Sequence, residues 1–439
     1  MPEPSEQENI SNPPTAEIPQ LADHLFRHEA GKLVSVLTGI FGVERLQLAE
    51  DVVQEAMVRA LKTWPYYGVP KNPAAWLTQT AKNLALDVIR REKNFHEKQP
   101  QVVAQFEQWS TPSADSAPDP LDNELADDRL RLMFACCHPA LPEESQTALA
   151  LKTLCGFSPA EIAKAFLSTE VATNKRLTRA RQRIRDLRVP FAIPSAEEMP
   201  ARLEAVLQTL YLLFNEGYKA SSGEKLIREE LCSEAIRLVT ALATHPIGDL
   251  PKVHALAALM LLNAARLPAR VDAEGNALRL EEQDRTKWHR HMIARGILHL
   301  SRSAGGDEVT EYHLQAGIAA VHCRAENFES TDWPQILVLY DRLIEIDDSP
   351  VVALNRAVAV AQVHGPRAGL AAIESIRNQQ ALESYHFLYA VLADFEYQLN
   401  EFETAAKHLR RAIDLTEVDS ERALLSRRFD LCVGRRTQA

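Results

Sequence analysis

Residues 158–188 have the sequence SPAEIAKAFLSTEVATNKRLTRARQRIRDLR, which is the most informative stretch of the chain. Ser158 and Glu161 flank Pro159 with the spacing of a capping box, which predicts that a helix begins there. Ile162 and Phe166 are expected to face a core. Thr169 can cap a second helix after a short connection, in which Leu167 stands where such turns often have Gly. The stretch therefore predicts a helix-turn-helix.

The second helix of this pair is strongly basic. Between Glu170 and Arg188 seven Lys or Arg accompany two acidic residues, although the whole chain has a formal net charge of -11. The apolar side of the helix is predicted to face a core and consists of Leu177, Ala180, Ile184 and Leu187. The remaining arc presents donors suited to phosphates and guanine edges, among them Asn174, Lys175, Arg176, Arg179 and Arg183. This charge reversal predicts a nucleic-acid partner, and a merely solvated basic helix is the alternative.

A helix with two unlike faces is predicted from Asn72, a cap before Pro73, to about Lys93. Its apolar stripe consists of Leu77, Ala81, Leu84 and Val88. The other face carries Trp76, Gln79, Asn83, Asp87 and Arg90. A Trp among amides and Arg can stack on an unpaired base of single-stranded nucleic acid. The alternative is a Trp packed under a neighbouring loop.

The preceding helix is predicted from Leu48 to Trp64. Its buried positions are expected to be Val53, Met57, Ala60, Leu61 and Trp64, and its exposed positions Asp51, Glu55, Arg59 and Lys62. Between the two helices, residues 66–72 (YYGVPKN) predict a loop, since Gly and Pro interrupt helices. The loop either holds a base or simply turns the chain.

The composition limits the class of protein. A chain of 439 residues with 46% hydrophobic residues can bury the cores of two or three domains, which excludes a disordered or fibrous protein. Neither a membrane-spanning run nor a signal peptide is evident, so a soluble, cytoplasmic protein is expected. Six cysteines without CxxC spacing indicate reduced thiols rather than disulfides or a zinc ribbon.

The chain is predicted to be all-α and to contain five segments. Residues 1–20 form a flexible leader, 21–98 a helical bundle, 99–128 an acidic linker, 129–188 the helix-turn-helix bundle, and 196–439 a helical extension. The linker holds seven acidic residues and no Lys or Arg. In the extension, Leu354, Ala359 and Ala371 recur 34 residues later as Leu388, Ala393 and Ala405, followed by Leu409 and Ala412. This period favours a tetratricopeptide-like repeat, with small residues where helices touch, over an ordinary bundle.

Two blocks of the sequence together resemble the extracytoplasmic-function (ECF) group of sigma-70 RNA polymerase sigma factors. AEDVVQEAMVRALKTW (49–64) looks like region 2.2 of these proteins, and NPAAWLTQTAKNLALDVIRR (72–91) looks like regions 2.3 and 2.4. The helix-turn-helix block looks like region 4. The resemblance implies a factor that binds core RNA polymerase and directs promoter-specific initiation.

The resemblance also implies roles for individual residues. Asp51, Gln54 and Glu55 would dock on the clamp helices of the polymerase β′ subunit, and region 4 would meet the β flap. The Trp76 face, with Gln79, Asn83, Asp87, Arg90 and Arg91, and the 66–73 loop would open and recognise the minus ten element. The minus thirty-five element would be contacted by Asn174, Lys175, Arg176, Arg179 and Arg183.

The resemblance extends to the subgroup of these factors that carries a long tetratricopeptide-like extension. The segments that carry it are FACCHPALP, LEEQDRTKWHR, YHLQAGIAAVH, TDWPQILVLYDRL and SPVVALNRAVAVAQVHGPRAGL. A separate anti-sigma partner is not clearly implied, so the extension is expected to regulate from within the chain. The alternative function is a helix-turn-helix regulator whose repeat domain senses a ligand or protein, which would leave the Trp76 face unused.

No enzyme, cofactor or metal is expected. Cys136, Cys137 and His138 suit zinc as ligand types, but adjacent residues on a helix diverge, so buried small residues are predicted instead. A polar stretch with Glu282, Asp284 and His289 could suggest a hydrolytic centre. Because no nucleophile with an orienting partner accompanies these residues, a buried ion-pair network between helices of the extension is predicted.

Overall fold

The computed structural model describes residues 18–91, 120–165, 168–219 and 226–436. Within these ranges the regular secondary structure is helical, and the β-structure amounts to an isolated bridge between Val271 and Ala277. The predicted all-α class is therefore confirmed. The described part of the chain holds no helix long and apolar enough to cross a membrane.

The helices fall into two compact units, the first ending at Thr209 and the second beginning at Leu210. The helices up to the boundary are α1 (Ile18–Phe41), α2 (Leu46–Tyr67), α3 (Pro73–Arg91), α4 (Pro120–Cys136), α5 (Glu143–Leu154), α6 (Pro159–Ala165), α7 (Glu170–Asp186) and α8 (Met199–Tyr218), which crosses it. The second unit continues with α9 (Glu229–Thr244), α10 (Pro251–Ala264), α11 (Arg290–Ser303), α12 (Glu311–Arg324), α13 (Trp333–Ile346), α14 (Pro350–His364), α15 (Pro366–Glu374), α16 (His386–Gln398), α17 (Phe402–Leu415) and α18 (Asp419–Arg436).

Helix α1 organises the first unit. It packs against α2, α3, α4 and α5, and it buries Leu33 and Leu37 completely or nearly so. At Gly31 a Cβ atom would lie 1.9 Å from the carbonyl oxygen of Leu154, so only glycine allows α1 to approach the end of α5 this closely. The N-terminal helices and the helix-turn-helix therefore share one core.

The predicted linker, 99–128, partly overlaps a helix. Helix α4 begins at Pro120, a residue type favoured in the first turn because its missing N–H is not needed there. The predicted leader 1–20 also overlaps a helix, because α1 begins at Ile18. Residues 1–17 of the leader, the linker up to residue 119 and the turn residues Phe166 and Leu167 lie outside the described residues.

The helix-turn-helix begins as predicted. The backbone N–H of Ser158 donates to Glu161 Oε2 (2.8 Å), and the N–H of Glu161 donates to Ser158 Oγ (3.2 Å), which is a capping box. Ile162 is buried, whereas Phe166 and Leu167 lie outside the described residues.

One core prediction for α7 is wrong. Leu177, Ala180 and Ile184 are buried, but Leu187 is 39% exposed because the helix ends at Asp186 and Leu187 is its C-cap. Thr173, one turn before Leu177, completes the buried stripe in its place.

A similar correction applies to α2. Val53, Ala60 and Trp64 are buried as predicted and Met57 is partly buried, but Leu61 is 46% exposed. Val52, Ala56 and Glu50 are buried instead. The buried side of α2 is thus rotated toward Ala56 relative to the predicted buried side. The reason is that α2 contacts both α1 and α3.

The second unit contains the predicted pairs of helices. Helices α14 and α15 form one pair and α16 and α17 the next, and buried residues of both pairs meet in a shared core. Most of the repeated small residues are buried, but Ala371 is exposed. The close contact in the first pair is made by Gly369, where a Cβ atom would lie 2.6 Å from the Cβ of Ala361 and 2.7 Å from the Phe395 ring.

Candidate nucleic-acid interface

Helix α7 is fixed at its start and along one side. The Thr169 side chain accepts a hydrogen bond from the Ala172 N–H (3.2 Å), as predicted for a cap. Opposite the buried stripe, Asn174, Lys175, Arg179 and Arg183 are exposed. Within the described residues, none of these three basic side chains has an ion-pair partner, so their charges are available to an anion.

Arg176 differs from the rest of the predicted set. Its guanidinium forms an ion pair with Glu144 Oε2 (2.6 Å) at the start of α5, and its side chain is largely covered. The structure therefore leaves four of the five predicted residues exposed, with Asn174 and Arg183 on opposite flanks of Lys175 and Arg179, and ties the fifth to a neighbouring helix.

Five residues of α7 line a shallow concavity: Val171, Asn174, Lys175, Thr178 and Arg179. Sequence reasoning missed Val171 and Thr178. Val171 is 64% exposed, and Thr178 donates its hydroxyl to the Asn174 carbonyl (2.8 Å), which leaves its methyl group for contacts. The seven-residue spacing of this pair, two helical turns, was the signal that could have found them.

The opposite side of α7 contains an arginine with a structural role. Arg181 Nη2 lies 2.6 Å from Glu50 Oε2 of α2, and Thr153 of α5 donates to Glu50 Oε1 (2.7 Å). Both carboxylate oxygens of this buried Glu are therefore satisfied by residues of the helix-turn-helix block. This contact could not be predicted from local patterns, because Glu50 is 103 residues from Thr153 along the chain.

The polar face of α3 is exposed, and its residues pair with one another. Gln79 donates to Asn83 Oδ1 (3.1 Å), and Arg90 lies 3.9 Å from Asp87. The helix is capped as predicted, since Asn72 Oδ1 accepts from the Ala75 N–H (3.0 Å). The side chain of Arg91, the last residue of the predicted set, lies outside the described residues.

Trp76 is partly buried and packs edge-on against Trp64 of α2, with the ring centroids 5.6 Å apart and the planes at 66°. Such an edge-to-face pair is attractive and orients the ring. The two predicted alternatives were a Trp that stacks on a base and a Trp packed under a loop. Trp76 packs against α2 instead of a loop, and part of its side chain remains in solvent.

Helix α2 ends with two aromatic side chains in solvent, so the loop predicted over 66–72 begins only at Gly68. Tyr66 and Tyr67 are 84% and 87% exposed, and Gly68 adopts a positive φ of 80° that ends the helix. Exposed adjacent tyrosines supply flat surfaces that suit stacking with bases.

Asp51, Gln54 and Glu55 share the exposed side of α2. Glu55 accepts from Arg59 Nε (3.1 Å) within the helix. Partial burial raises the pKa of the Asp51 carboxyl, while the charges of Arg181 and Lys152 act in the opposite direction. The acidic docking candidates thus lie beside basic residues of the helix-turn-helix block.

Cys136 and Cys137 are buried, as predicted. Burial raises the pKa of the Cys137 thiol to about 12 and that of Cys136 well above its usual value, so both remain protonated at neutral pH. Metal ligation requires thiolates, and in the described ranges no group of three or more His, Cys, Asp or Glu could hold a metal ion.

The predicted ion-pair network is present in part. Asp394 of α16 pairs with Arg279 (2.8 Å) and with Arg428 of α18 (2.6 Å). Glu282 lies 3.8 Å from Arg279 at the edge of this network, but Glu282, Asp284 and His289 are all exposed. Arg285, between them, is the buried charge, and it donates to the carbonyls of His322 (2.9 Å) and Ala325 (3.0 Å). Its role is to hold the loop before α11 against the end of α12.

Three families match separate parts of the chain. Sigma-70 region 2 matches residues 25–95, and sigma-70 region 4 matches residues 131–184. A family of unknown function, DUF6596, matches residues 202–304. The first two matches contain the α3 face and the exposed face of α7, respectively.

Relatives match over different shares of the chain. An uncharacterized protein, R00370 of Rhizobium meliloti, is 40% identical over 387 residues, which is 88% of this chain and 90% of the relative. The ECF RNA polymerase sigma factor SigG of Mycobacterium tuberculosis is 27% identical over 181 residues, 36% of this chain and 49% of SigG. The probable RNA polymerase sigma factor RfaY of Xanthomonas campestris is 29% identical over 138 residues, 31% of this chain and 33% of RfaY. No solved structure matches the chain.

Proposed function

Because the chain belongs to the ECF type of sigma-70 RNA polymerase sigma factors, which direct transcription initiation, we propose that α3 and α7 contact two separate promoter elements. Members of this family are not enzymes, and they bind core RNA polymerase and promoter DNA. The finer assignment of residues to each contact is our proposal.

The observation that carries the proposal is the open face of α7. It combines Asn174, Lys175, Arg179 and Arg183 on the exposed side of the second helix of a helix-turn-helix. In such motifs the second helix lies in the major groove, where basic side chains contact phosphates and base edges. We assign this face to the minus thirty-five element. Arg176, which pairs with Glu144, contributes to it only if that ion pair opens.

The α3 face is assigned to the minus ten element. Trp76 supplies an aromatic surface, Gln79 and Asn83 supply amides that can pair with base edges, and Arg90 can contact a phosphate. Tyr66 and Tyr67 add exposed rings at the C-terminal end of α2. Together these groups suit bases that have left the duplex.

Asp51, Gln54 and Glu55 are assigned to polymerase docking, with the clamp helices of the β′ subunit as their partner and the β flap as the partner of region 4. The acidic side of α2 is exposed and suits a basic surface. We place the protein in the cytoplasm with the polymerase.

The second unit is proposed to regulate initiation from within the same chain. It has cores of its own, formed for example by α12, α13 and α14 and by α16, α17 and α18. Stacked helix pairs of this kind offer large surfaces for a ligand or partner. Truncation after Tyr218 tests this role. If the truncated protein is still helical and supports the same level of promoter-specific transcription as the full chain, the proposed role is contradicted.

Reconstitution tests the main proposal. Purified protein is added to core RNA polymerase, and run-off transcription is measured on promoter fragments bound by the complex in genomic footprints. The wild-type chain should confer specific initiation, Arg179→Ala should weaken protection of the upstream element, and Trp76→Ala should weaken opening of the downstream element. Specific initiation that survives both substitutions unchanged would refute the assignment of these faces.

A further inference from the structure

The exposed side of α7 is not uniformly basic. With about 100° per residue, Thr178 lies within about 20° of Val171 on the helix surface. The buried residues Leu177, Ala180 and Ile184 lie roughly 120–180° away from Val171 on the same count. Val171 and Thr178 therefore lie on the exposed half of the helix, and the residues that point most directly away from the core are their neighbours Lys175 and Gln182.

The basic residues lie to one side of this apolar strip. Lys175 and Arg179 follow at about 40° and 80° from Val171, and Arg183 lies at roughly 120°. A helix inserted into a major groove presents its outermost strip to the base edges and its flanks to the two phosphate backbones. Arg179 and Arg183 thus lie toward the flank that faces one phosphate backbone, whereas Lys175 lies next to Val171 at the centre of the exposed half.

The apolar strip beside Lys175 offers contacts of another kind. Val171 is 64% exposed in the first turn of the helix, the end that approaches base edges in helix-turn-helix complexes. Thr178 engages its hydroxyl with the Asn174 carbonyl, so the strip gains a methyl group rather than a donor. The apolar group that base pairs present in the major groove is the C5-methyl of thymine.

We propose that Val171 and Thr178 determine the sequence specificity of α7 by contacting thymine methyl groups in the upstream promoter element. Asn174, which lines the same concavity, pairs with the N6 and N7 atoms of an adenine next to those thymines. Arg179 and Arg183, toward the adjoining flank, supply affinity through phosphates. The inference rests on the proposed role of α7 at the upstream element and names the bases that it recognises.

The test uses the full chain bound to core RNA polymerase. Duplexes with a randomised upstream element are selected for binding to this holoenzyme, and the selected duplex is rebuilt with deoxyuridine in place of each thymine, which removes only the methyl group. At one or two positions this change should weaken binding by the wild type about four-fold, as expected for the loss of one buried methyl group.

Two variants identify the contacting side chains. Val171→Ala should bind the thymine duplex about four-fold more weakly and should no longer distinguish thymine from uracil at one of these positions. Thr178→Ser keeps the hydroxyl bond to Asn174 and should lose discrimination at the neighbouring position. If the wild type shows no penalty for uracil, or if Val171→Ala retains the full penalty, the inference is wrong.

Arg179→Ala is the matched control on the same helix. It should weaken binding to thymine and uracil duplexes equally and should lower the dependence of affinity on salt. A normal Arg179→Ala effect without any uracil penalty rejects only the thymine contacts. If Arg179→Ala also leaves upstream binding unchanged, the proposed function of α7 itself fails.

Discussion

Helices α3 and α7 are both capped by a side chain and both expose a polar face. The two faces differ in whether their polar side chains are paired with one another. On α3, Gln79 bonds to Asn83 and Asp87 lies near Arg90. On α7, Lys175 and Arg179 have no ion-pair partner in the described part of the chain, and the helix is held to α2 by a buried ion pair. On the proposed assignment, Lys175 and Arg179 of α7 would bind DNA without breaking an ion pair, whereas α3 would exchange its internal bonds for bonds to a nucleic acid.

The largest expected effect concerns the anchoring of α7. Arg181→Ala leaves Glu50 buried without its counter-charge, so the free energy of unfolding should fall by about 3–5 kcal/mol. Urea denaturation followed by Trp fluorescence measures this change. Arg179→Ala, on the exposed side of the same helix, serves as the control and should change stability by less than about 0.5 kcal/mol. Equal effects of the two substitutions would mean that α7 is not anchored by this contact.

The next effect concerns Trp76. Stacking of one base on an aromatic side chain contributes roughly 1–3 kcal/mol, so Trp76→Ala should slow formation of the open promoter complex by about tenfold or more. Permanganate footprinting of unpaired thymines measures the opening. Trp76→Phe keeps a ring that can contact both Trp64 and a base and should remain close to the wild type. Opening at the wild-type rate in Trp76→Ala would remove this residue from the minus ten contact.

The caps offer a matched pair of substitutions, because they are similar on the two helices. Asn72→Ala and Thr169→Ala each remove one side-chain acceptor and should each destabilise the protein by about 1 kcal/mol. Thermal denaturation measures both. A much larger loss for one variant would indicate that its helix depends on the cap more than on packing.

The smallest effect tests whether the α3 face is self-paired. Asp87 and Arg90 are both exposed and 3.9 Å apart, so Asp87→Asn should change stability by less than about 0.5 kcal/mol. Removal of the negative charge should raise the affinity of the holoenzyme for promoter DNA about two-fold at low salt. Filter binding measures this affinity, and the difference between Asp87→Asn and the wild type should disappear as added salt screens the charge.

The elements that the sequence predicted well depend on local interactions. The capping box at Ser158 and the cap at Thr169 form within a single turn, and the buried stripe of α7 follows from helical spacing. The predictions that were wrong involve the surroundings of a helix. Leu187 and Leu61 are apolar and lie near the expected stripe, but no neighbouring element covers them, so they remain exposed.

The candidate site could be predicted in part for the same reason. Its basic residues are visible in the sequence as a charge reversal, whereas the ion pair of Arg176 depends on where the start of α5 lies. Val171 was overlooked because an apolar residue in an amphipathic pattern is expected to be buried. Its exposure is evident only once the direction of the buried stripe is fixed by packing.

Caps, periodicity and charge are properties of neighbouring residues. The sequence was therefore enough to predict that the chain is helical, where several helices begin and which helix is basic. The contact among Glu50, Thr153 and Arg181 is visible only in the folded structure. A buried charge requires partners that satisfy both of its oxygens, and those partners come from distant segments that the core brings together. For this reason the structure divides the arginines of α7 into one that anchors the helix, one tied to α5, and others that remain open to DNA.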